Sequence, residues 1–192
     1  AGQLEEEPGA RNILFATRTT VEDGAHMQGL LDLGMEEHQI ITQSCPQLSA
    51  YIEQGYDAMD TEMLIEAYVD EALSQLGEAS GPLSVSFNCT HFGYSLDAWK
   101  LAFESRGVEV AAYLDPNTRM VDFLMPADLW QRFPESEVRV RAVSMVPISE
   151  GSIDSIGRYL DAVSTPTAAA LRDYRLEPGL FEWRGLVESG GD

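Results

Sequence analysis

The sequence predicts an α/β protein in which a Rossmann-like parallel sheet is flanked by helices. Between residues 11 and 115, short apolar runs typical of buried strands alternate with longer segments whose apolar residues recur at helical spacing. Such alternation is typical of parallel sheets, because each crossover helix returns the chain to the same end of the sheet. The chain has 192 residues, of which 44% are hydrophobic, and can therefore bury a sizeable core.

Four short segments are predicted to form the strands of this sheet. Each is apolar and is bounded by polar or turn-forming residues, which is the pattern of a buried strand. They cover residues 11–16, 39–41, 83–87 and 108–114. Because parallel strands run in the same direction, the polar residues that follow each strand are expected at one edge of the sheet.

Helices are predicted between these strands, over residues 21–33, 46–53, 61–76 and 95–106. The third is the clearest, since its apolar residues from Leu64 to Leu76 lie on one face and the capping pair Asp60-Thr61 precedes it. Pro46 suits the first turn of the second helix.

The remainder of the chain is less regular. Residues 121–133 are predicted to be helical with an interruption at Pro126, and the alternating residues 138–143 to form a strand with one exposed face. Two further helices are predicted over residues 152–163 and 166–174. The first ten residues are expected to form a flexible lead-in, and the residues after Pro178 a poorly tied terminus.

Composition limits the classes of function. The net charge is −20, so binding to nucleic acid or to an anionic membrane is not expected. The acidity is interpreted as a highly solvated surface, with docking on a basic partner as the alternative. No run of 18 apolar residues and no signal peptide is recognised, so the protein is expected to be cytoplasmic, with its two cysteines reduced.

The most informative motif is Asn88-Cys89-Thr90-His91, which joins a predicted strand to a predicted helix. Ligands of open α/β sheets bind at this edge, and helix N-terminal N–H groups favour a thiolate there over a thiol. The thiolate is the form of cysteine that acts as a base or nucleophile, and His91 could exchange protons with it. A buried structural cysteine is the alternative interpretation.

Other polar residues follow the remaining strands. Thr17, Thr20 and Thr90 could bind a substrate carboxylate through their hydroxyls or could cap helices, and the two roles are compatible. Cys45 is predicted to be a packed residue, and Glu53 to face solvent on composition alone.

No metal and no cofactor are expected. Cys45, Cys89 and His91 lack the spacing of a zinc site and are too few to complete one. The sequence contains no G-x-S-x-G, G-x-G-x-x-G or Walker motif, which argues against a serine nucleophile and against a bound nucleotide.

Three blocks of the sequence resemble the second half of glutamate racemase, a member of the cofactor-independent aspartate/glutamate racemase superfamily. The blocks are Ala16-Thr17-Arg18-Thr19-Thr20-Val21, then Cys45-Pro46 with Tyr51-Ile52-Glu53-Gln54-Gly55, then Asn88-Cys89-Thr90-His91. Their order and spacing agree with the family over roughly residues 11 to 124. Residues 137–182 resemble the family's closing segment more weakly.

The resemblance implies a racemase-like fold, a reaction, and roles for particular residues. In the family, one cysteine thiolate removes the α-proton of the amino acid while a second cysteine delivers a proton to the opposite face. The implied activity is racemisation of glutamate, or of a related acidic amino acid, without a cofactor. By resemblance the catalytic groups are Cys89, His91 and Glu53, and the substrate-binding residues are Thr17, Thr20, Asn88 and Thr90.

The resemblance also implies that a second catalytic thiol comes from elsewhere. The family's first half, which carries that thiol, has no counterpart here, and Cys45-Pro46 matches a different family motif. Residues 1–124 are expected to be a racemase-like second domain with the Cys89 site, and residues 125–192 a returning segment that completes the other, absent domain. A second protein chain or self-association is expected to cover that segment. The competing hypothesis is a non-catalytic binding or scaffold subunit that retains the fold.

Overall fold

In the computed structural model, the described residues are 9–76, 81–124, 126, 129, 132, 135 and 137–181. The chain divides into two compact units, Ala1–Glu135 and Ser136–Asp192. No helix among the described residues is both long and apolar enough to span a membrane.

The first unit is built on a four-stranded parallel sheet, which confirms the predicted α/β fold with helices flanking a parallel sheet. Strands β1 to β4 lie in the order β2-β1-β3-β4 and cover Arg11–Ala16, Ile40–Ser44, Leu83–Asn88 and Ala112–Leu114. Ile13 of β1 pairs with Ile41 of β2 on one side and with Val85 of β3 on the other. All three side chains are buried, as expected of parallel strands that are covered on both faces.

Helices connect each strand of this unit to the next. Helices α1 to α6 cover Arg18–Asp23, Ala25–Asp32, Leu48–Gln54, Met59–Gln75, Leu96–Glu104 and Pro116–Leu124. Short 3₁₀ helices at Glu37–Gln39 and Phe92–Ser95 precede β2 and α5. The predicted alternation of strands and helices is therefore confirmed from residue 11 to residue 114.

Backbone geometry moves two helix boundaries away from their predicted positions. The predicted helix 21–33 is two helices, because Gly24 adopts a φ of 72° between α1 and α2. Helix α3 begins at Leu48 rather than at Pro46, because Gln47 lies in the left-handed region with a φ of 64°.

The start of α4 also differs from the prediction. Its N-cap is Ala58, and the predicted cap residue Thr61 is buried, with its hydroxyl donating to the carbonyl of Gly55 at 2.6 Å. Thr61 therefore ties the helix to the end of α3. The predicted apolar face is confirmed, since Ile65 and Val69 are fully buried.

The strand predicted over residues 108–114 is shorter, because its first residues close α5. Gly107 has a φ of 67°, and the N–H of Val108 donates to the carbonyl of Phe103 at 3.1 Å. This is the hydrogen bond of a Schellman C-cap, which uses residues that the apolar pattern had assigned to the strand.

An aromatic cluster forms the centre of the core. Trp99 of α5 is fully buried, and its ring centroid lies 4.5 Å from that of Phe15, 5.2 Å from that of Phe87 and 5.9 Å from that of Phe92. Aromatic pairs at such distances contribute about 0.5–1.5 kcal/mol each beyond the burial of their area. The cluster therefore anchors α5 to the ends of β1 and β3.

The described residues of the second unit, 137–181, form two helices and a short parallel pair of strands. Helices α7 and α8 cover Glu150–Val163 and Thr165–Arg172, and strands β5 and β6 cover Val143–Ser144 and Arg175–Leu176. The strand predicted over 138–143 is wrong except at its last residue, because the partner strand β6 is only two residues long. Arg172 donates to Asp161 at 2.6 and 2.8 Å, which joins the two helices.

Some sequence predictions fall largely outside the described residues. These are the flexible lead-in before residue 9, the part of the predicted helix 121–133 beyond α6, and the terminal residues after 181.

Candidate active site

The carboxyl edge of the sheet places the Cys89 motif at a topological switch point. The chain passes from β1 to β2 on one side of β1 and then to β3 on its other side, so the connections diverge at the ends of β1 and β3. Ligands of open α/β sheets bind in the crevice at such a point. Ala16 at the end of β1 is in register with Asn88 at the end of β3, which sets Thr17 beside Cys89.

Cys89, His91 and Glu53 form a hydrogen-bonded Cys–His–Glu triad at this edge. Cys89 Sγ lies 3.7 Å from His91 Nδ1, and His91 Nε2 lies 2.8 Å from Glu53 Oε1. The side chains of His91 and Glu53 are 30% and 44% exposed, and Cys89 is partly buried. Glu53 faces solvent in part, as composition predicted, but its carboxylate is also bound to the imidazole. The three side chains therefore contact one another and also remain accessible to a small molecule.

Glu53 determines which nitrogen of His91 carries a hydrogen. An ionised carboxylate only accepts, so Nε2 donates to it and Nδ1 keeps a lone pair in the neutral ring. This lone pair faces the Cys89 thiol and can take its proton. When the ring is protonated, Nδ1–H donates to the Cys89 sulfur, and this hydrogen bond together with the charge of Glu53 raises the pKa of His91 above its ordinary value, while partial burial opposes the change.

Two buried side chains hold the turn that carries Cys89 and His91. The indole N–H of Trp99 donates to the carbonyl of Phe92 at 3.2 Å, and the hydroxyl of Ser95 donates to the carbonyl of Tyr56 at 2.7 Å. The first bond ties the turn to the aromatic cluster, and the second ties it to the loop between α3 and α4. Glu53 lies in α3, so the second bond also fixes the two sides of the triad relative to each other.

Residues that follow β4 contact the same turn. The side-chain amide of Asn117 donates to the carbonyl of Thr90 at 3.2 Å, and the backbone N–H of Asn117 donates to Asp115 Oδ1 at 2.9 Å. Gly93 lies directly against the Asp115 carboxylate, and a Cβ at this glycine would stand 3.2 Å from Asp115 Cγ. Any larger residue at position 93 would therefore displace the carboxylate.

Two of the predicted substrate-binding residues, Asn88 and Thr90, adjoin Cys89 in the chain, and the other two, Thr17 and Thr20, lie in the segment that follows β1. Thr17 is the N-cap of α1, its Oγ1 accepts from the N–H of Thr20 at 3.4 Å, and the two hydroxyls lie 2.9 Å apart. The capping role is thus confirmed for Thr17 and is wrong for Thr20, which lies inside α1, and for Thr90, since Ser95 is the N-cap of α5. Carboxylate binding stays a prediction. Thr90 Oγ1 lies 3.4 Å from His91 Nδ1, and the Asn88 side chain donates to the carbonyl of Ser86 at 3.4 Å.

Cys45 is the second thiol of the chain and lies in the core. It is 2% exposed, and its Sγ donates to the carbonyl of Gln43 at 3.7 Å. Burial raises the pKa of Cys45 far above its usual value. The prediction of a packed residue is confirmed, and a buried neutral thiol of this kind is inert.

Sequence reasoning missed the residues that hold the turn, namely Gly93, Ser95, Trp99 and Asn117. The available signal was the polar segment Asp115-Pro116-Asn117, which follows a predicted strand and so belongs to the same edge. Nothing in the local pattern shows which backbone groups those side chains reach.

In the part of the chain that the structure describes, no group of three or more acidic, histidine or cysteine side chains could hold a metal ion.

Comparison with known proteins identifies no family. The sequence matches no protein-family model, and no curated protein matches it. The fold and the site therefore define the chain as an α/β protein with a Cys–His–Glu triad at the switch point of a parallel sheet.

Proposed function

We propose that this chain supplies one catalytic face of a cofactor-independent racemase that acts on glutamate or a related acidic amino acid. The observation that carries the proposal is the Cys–His–Glu triad at the switch point of the sheet. The resemblance of the surrounding motifs to the second half of glutamate racemase supports a racemase-like fold. It also supports proton transfer as the chemical role of the triad.

Proton transfer at an α-carbon requires a base that can reach the substrate and be stabilised in its reactive form. In the proposed mechanism, His91 Nδ1 takes the thiol proton of Cys89, and the resulting thiolate removes the α-proton. Glu53 stabilises the imidazolium through Nε2, at 2.8 Å. Because the proton on Cys89 can return only to the face it left, one thiol exchanges the α-proton but does not invert the carbon.

Inversion in this proposal uses a second thiol from another polypeptide. The chain has two cysteines, and Cys45 is 2% exposed in the core. The partner is either a polypeptide with a first-half domain or a second copy of this chain that takes its place. Residues 125–192 act as the returning segment that joins it. The proposal places the protein in the cytoplasm, where both thiols remain reduced.

Hydrogen exchange at the α-carbon tests the proposed function. The purified chain is incubated in deuterated water with L-glutamate or with D-glutamate, and NMR follows the α-proton while chiral chromatography follows inversion. We expect deuterium to enter one enantiomer with retention, because one thiol serves one face. Cys89→Ala is expected to abolish exchange, and Cys45→Ala, the matched thiol control, to retain it.

Each alternative has a distinct result in this experiment. Absence of exchange with acidic amino acids, or exchange that survives Cys89→Ala, would refute proton transfer by the triad and favour the binding or scaffold subunit. Full inversion by the pure single chain would show that the second proton donor lies within this chain.

A further inference from the structure

The Cys–His–Glu triad has the arrangement of an activated thiol nucleophile as well as that of a proton-transfer group. Cys89 Sγ lies 3.7 Å from His91 Nδ1, and Glu53 Oε1 lies 2.8 Å from His91 Nε2. A nucleophile in contact with a base that a third side chain orients is the structural signature of covalent catalysis. The thiolate that results is intrinsically a strong nucleophile, and the imidazolium beside it is held by the Glu53 carboxylate.

Cys89 occupies a turn between a strand and a helix, which is where α/β hydrolases hold their nucleophile. Strand β3 ends at Asn88, and the turn closes with the N–H of Phe92 donating to the carbonyl of Cys89 at 3.2 Å. At such a turn, the N–H of the residue after the nucleophile stabilises the oxyanion of a tetrahedral intermediate. That residue is Thr90, which is exposed, and no hydrogen bond among the described residues engages its N–H.

The leaving group decides which acyl compounds suit this thiol. The tetrahedral intermediate expels either the Cys89 sulfur or the group that the substrate brought, whichever is the better leaving group. An amine departs less readily than a thiolate, whereas a phenolate or a second thiolate departs at least as readily. The half-exposed side chains of His91 and Glu53 leave room for a small substrate. Small esters and thioesters with good leaving groups are therefore the class that the triad can cleave.

We propose that the triad has a second activity, the hydrolysis of small activated esters and thioesters through a thioester on Cys89. His91 Nδ1 takes the thiol proton, Cys89 Sγ bonds to the acyl carbon, and the bond to the leaving oxygen or sulfur breaks as His91 returns the proton to it. Water then attacks the thioester with His91 as base, the C–S bond breaks, and the proton restores the Cys89 thiol. Water is the only co-reactant, so no oxidant, reductant or cofactor is consumed.

Hydrolysis of p-nitrophenyl acetate tests this activity, with absorbance for p-nitrophenolate and intact mass for the acetylated chain. The wild type and Cys45→Ala, the matched thiol control, are expected to release about one p-nitrophenolate per chain in a burst and then to turn over steadily. Cys89→Ala should lose the burst and the acetylated mass, and its remaining rate measures the background from other side chains, such as His26 and His38. Cys89→Ser is a second variant that should also lose the burst.

Two further positions separate a catalytic triad from a merely reactive thiol. His91→Asn is expected to slow turnover by roughly 100-fold or more, as loss of a general acid–base group does, and to leave the acetyl group on Cys89. Glu53 is a positioning residue, because it acts through His91. Glu53→Ala should lower turnover, and Glu53→Gln should restore part of it, since the glutamine side-chain carbonyl can still accept from Nε2–H.

Several results would overturn the second activity. They are a wild type without a burst, a burst that persists in Cys89→Ala, acetylation of Cys89 without turnover, and turnover that His91→Asn leaves unchanged. The racemase proposal stands or falls separately, because ester hydrolysis involves no α-proton and no second thiol. Loss of α-proton exchange with intact ester hydrolysis would refute the racemase alone, and the reverse pattern would refute the second activity alone.

Discussion

The two cysteines should react with iodoacetamide at rates that differ by several orders of magnitude. Cys89 is partly exposed and contacts His91 Nδ1, whereas Cys45 is 2% exposed. Alkylation of Cys45 requires the first unit to open, and opening a domain costs about 5 kcal/mol or more. Since each increment of about 1.4 kcal/mol changes an equilibrium constant tenfold, the cost of opening alone slows the alkylation of Cys45 by at least roughly 3,000-fold.

The assay compares the variants Cys45→Ala and Cys89→Ala by intact mass over a series of pH values. Cys45→Ala should incorporate one label quickly, and Cys89→Ala should remain unlabelled until urea populates the open state. A fast reaction that belongs to Cys45, or equal rates for the two thiols in the absence of urea, would refute the assignment of the site to Cys89.

Two further predictions concern the turn and the first unit. Gly93→Ala should lower the free energy of unfolding, measured by urea denaturation, by about 1 kcal/mol. The reason is that the added Cβ forces the Asp115 carboxylate to rotate and lose its hydrogen bond to the N–H of Asn117. Gly29→Ala is the control, since a Cβ there meets nothing within 4 Å and should be neutral or stabilising. A fragment of residues 1–135 should melt cooperatively by circular dichroism, and a gradual melt would show that this unit is not an independent folding unit.

The fold was predictable because the strands of the sheet are short, apolar and separated by clear helical patterns. The boundaries of the helices and strands were not predictable, because they depend on backbone conformations that residue type does not indicate. Gln47 adopts a positive φ, which a sequence pattern predicts only for glycine. The Thr61 hydroxyl donates to the carbonyl of Gly55 across a loop instead of capping the start of a helix. Val108 has strand composition but completes the C-cap of α5.

The candidate site was predictable where its members are close in sequence. Cys89 and His91 share a four-residue motif at a strand end, and the contact between them follows from that motif. Glu53 lies 38 positions before His91, and composition alone indicates only a solvent-facing side chain. Only the expected resemblance to glutamate racemase, and not its own sequence context, predicted that Glu53 belongs to the site. Asn117 was missed because its contact is with a backbone carbonyl, which no sequence pattern encodes.

We propose that Glu53, His91 and Cys89 act as one proton-transfer unit, and an NMR titration of the His91 ring tests this proposal. The ring signals of His26 and His38 are identified by substituting each residue, so that the remaining ring signal belongs to His91. The hydrogen bond with Cys89 and the charge of Glu53 favour the imidazolium, so the pKa of His91 is predicted to lie above the ordinary value of about 6.5.

The same titration is then repeated in the variants Cys89→Ala and Glu53→Gln. Each variant should lower the pKa of His91, and Cys89→Ala should lower it more. Because the folded-state pKa is raised, the stabilisation from these contacts is complete below about pH 6.5 and is lost as the pH rises through the folded value. A His91 ring that titrates at or below about 6.5 in the wild type, and does not respond to either substitution, would show that the three side chains do not act as one unit.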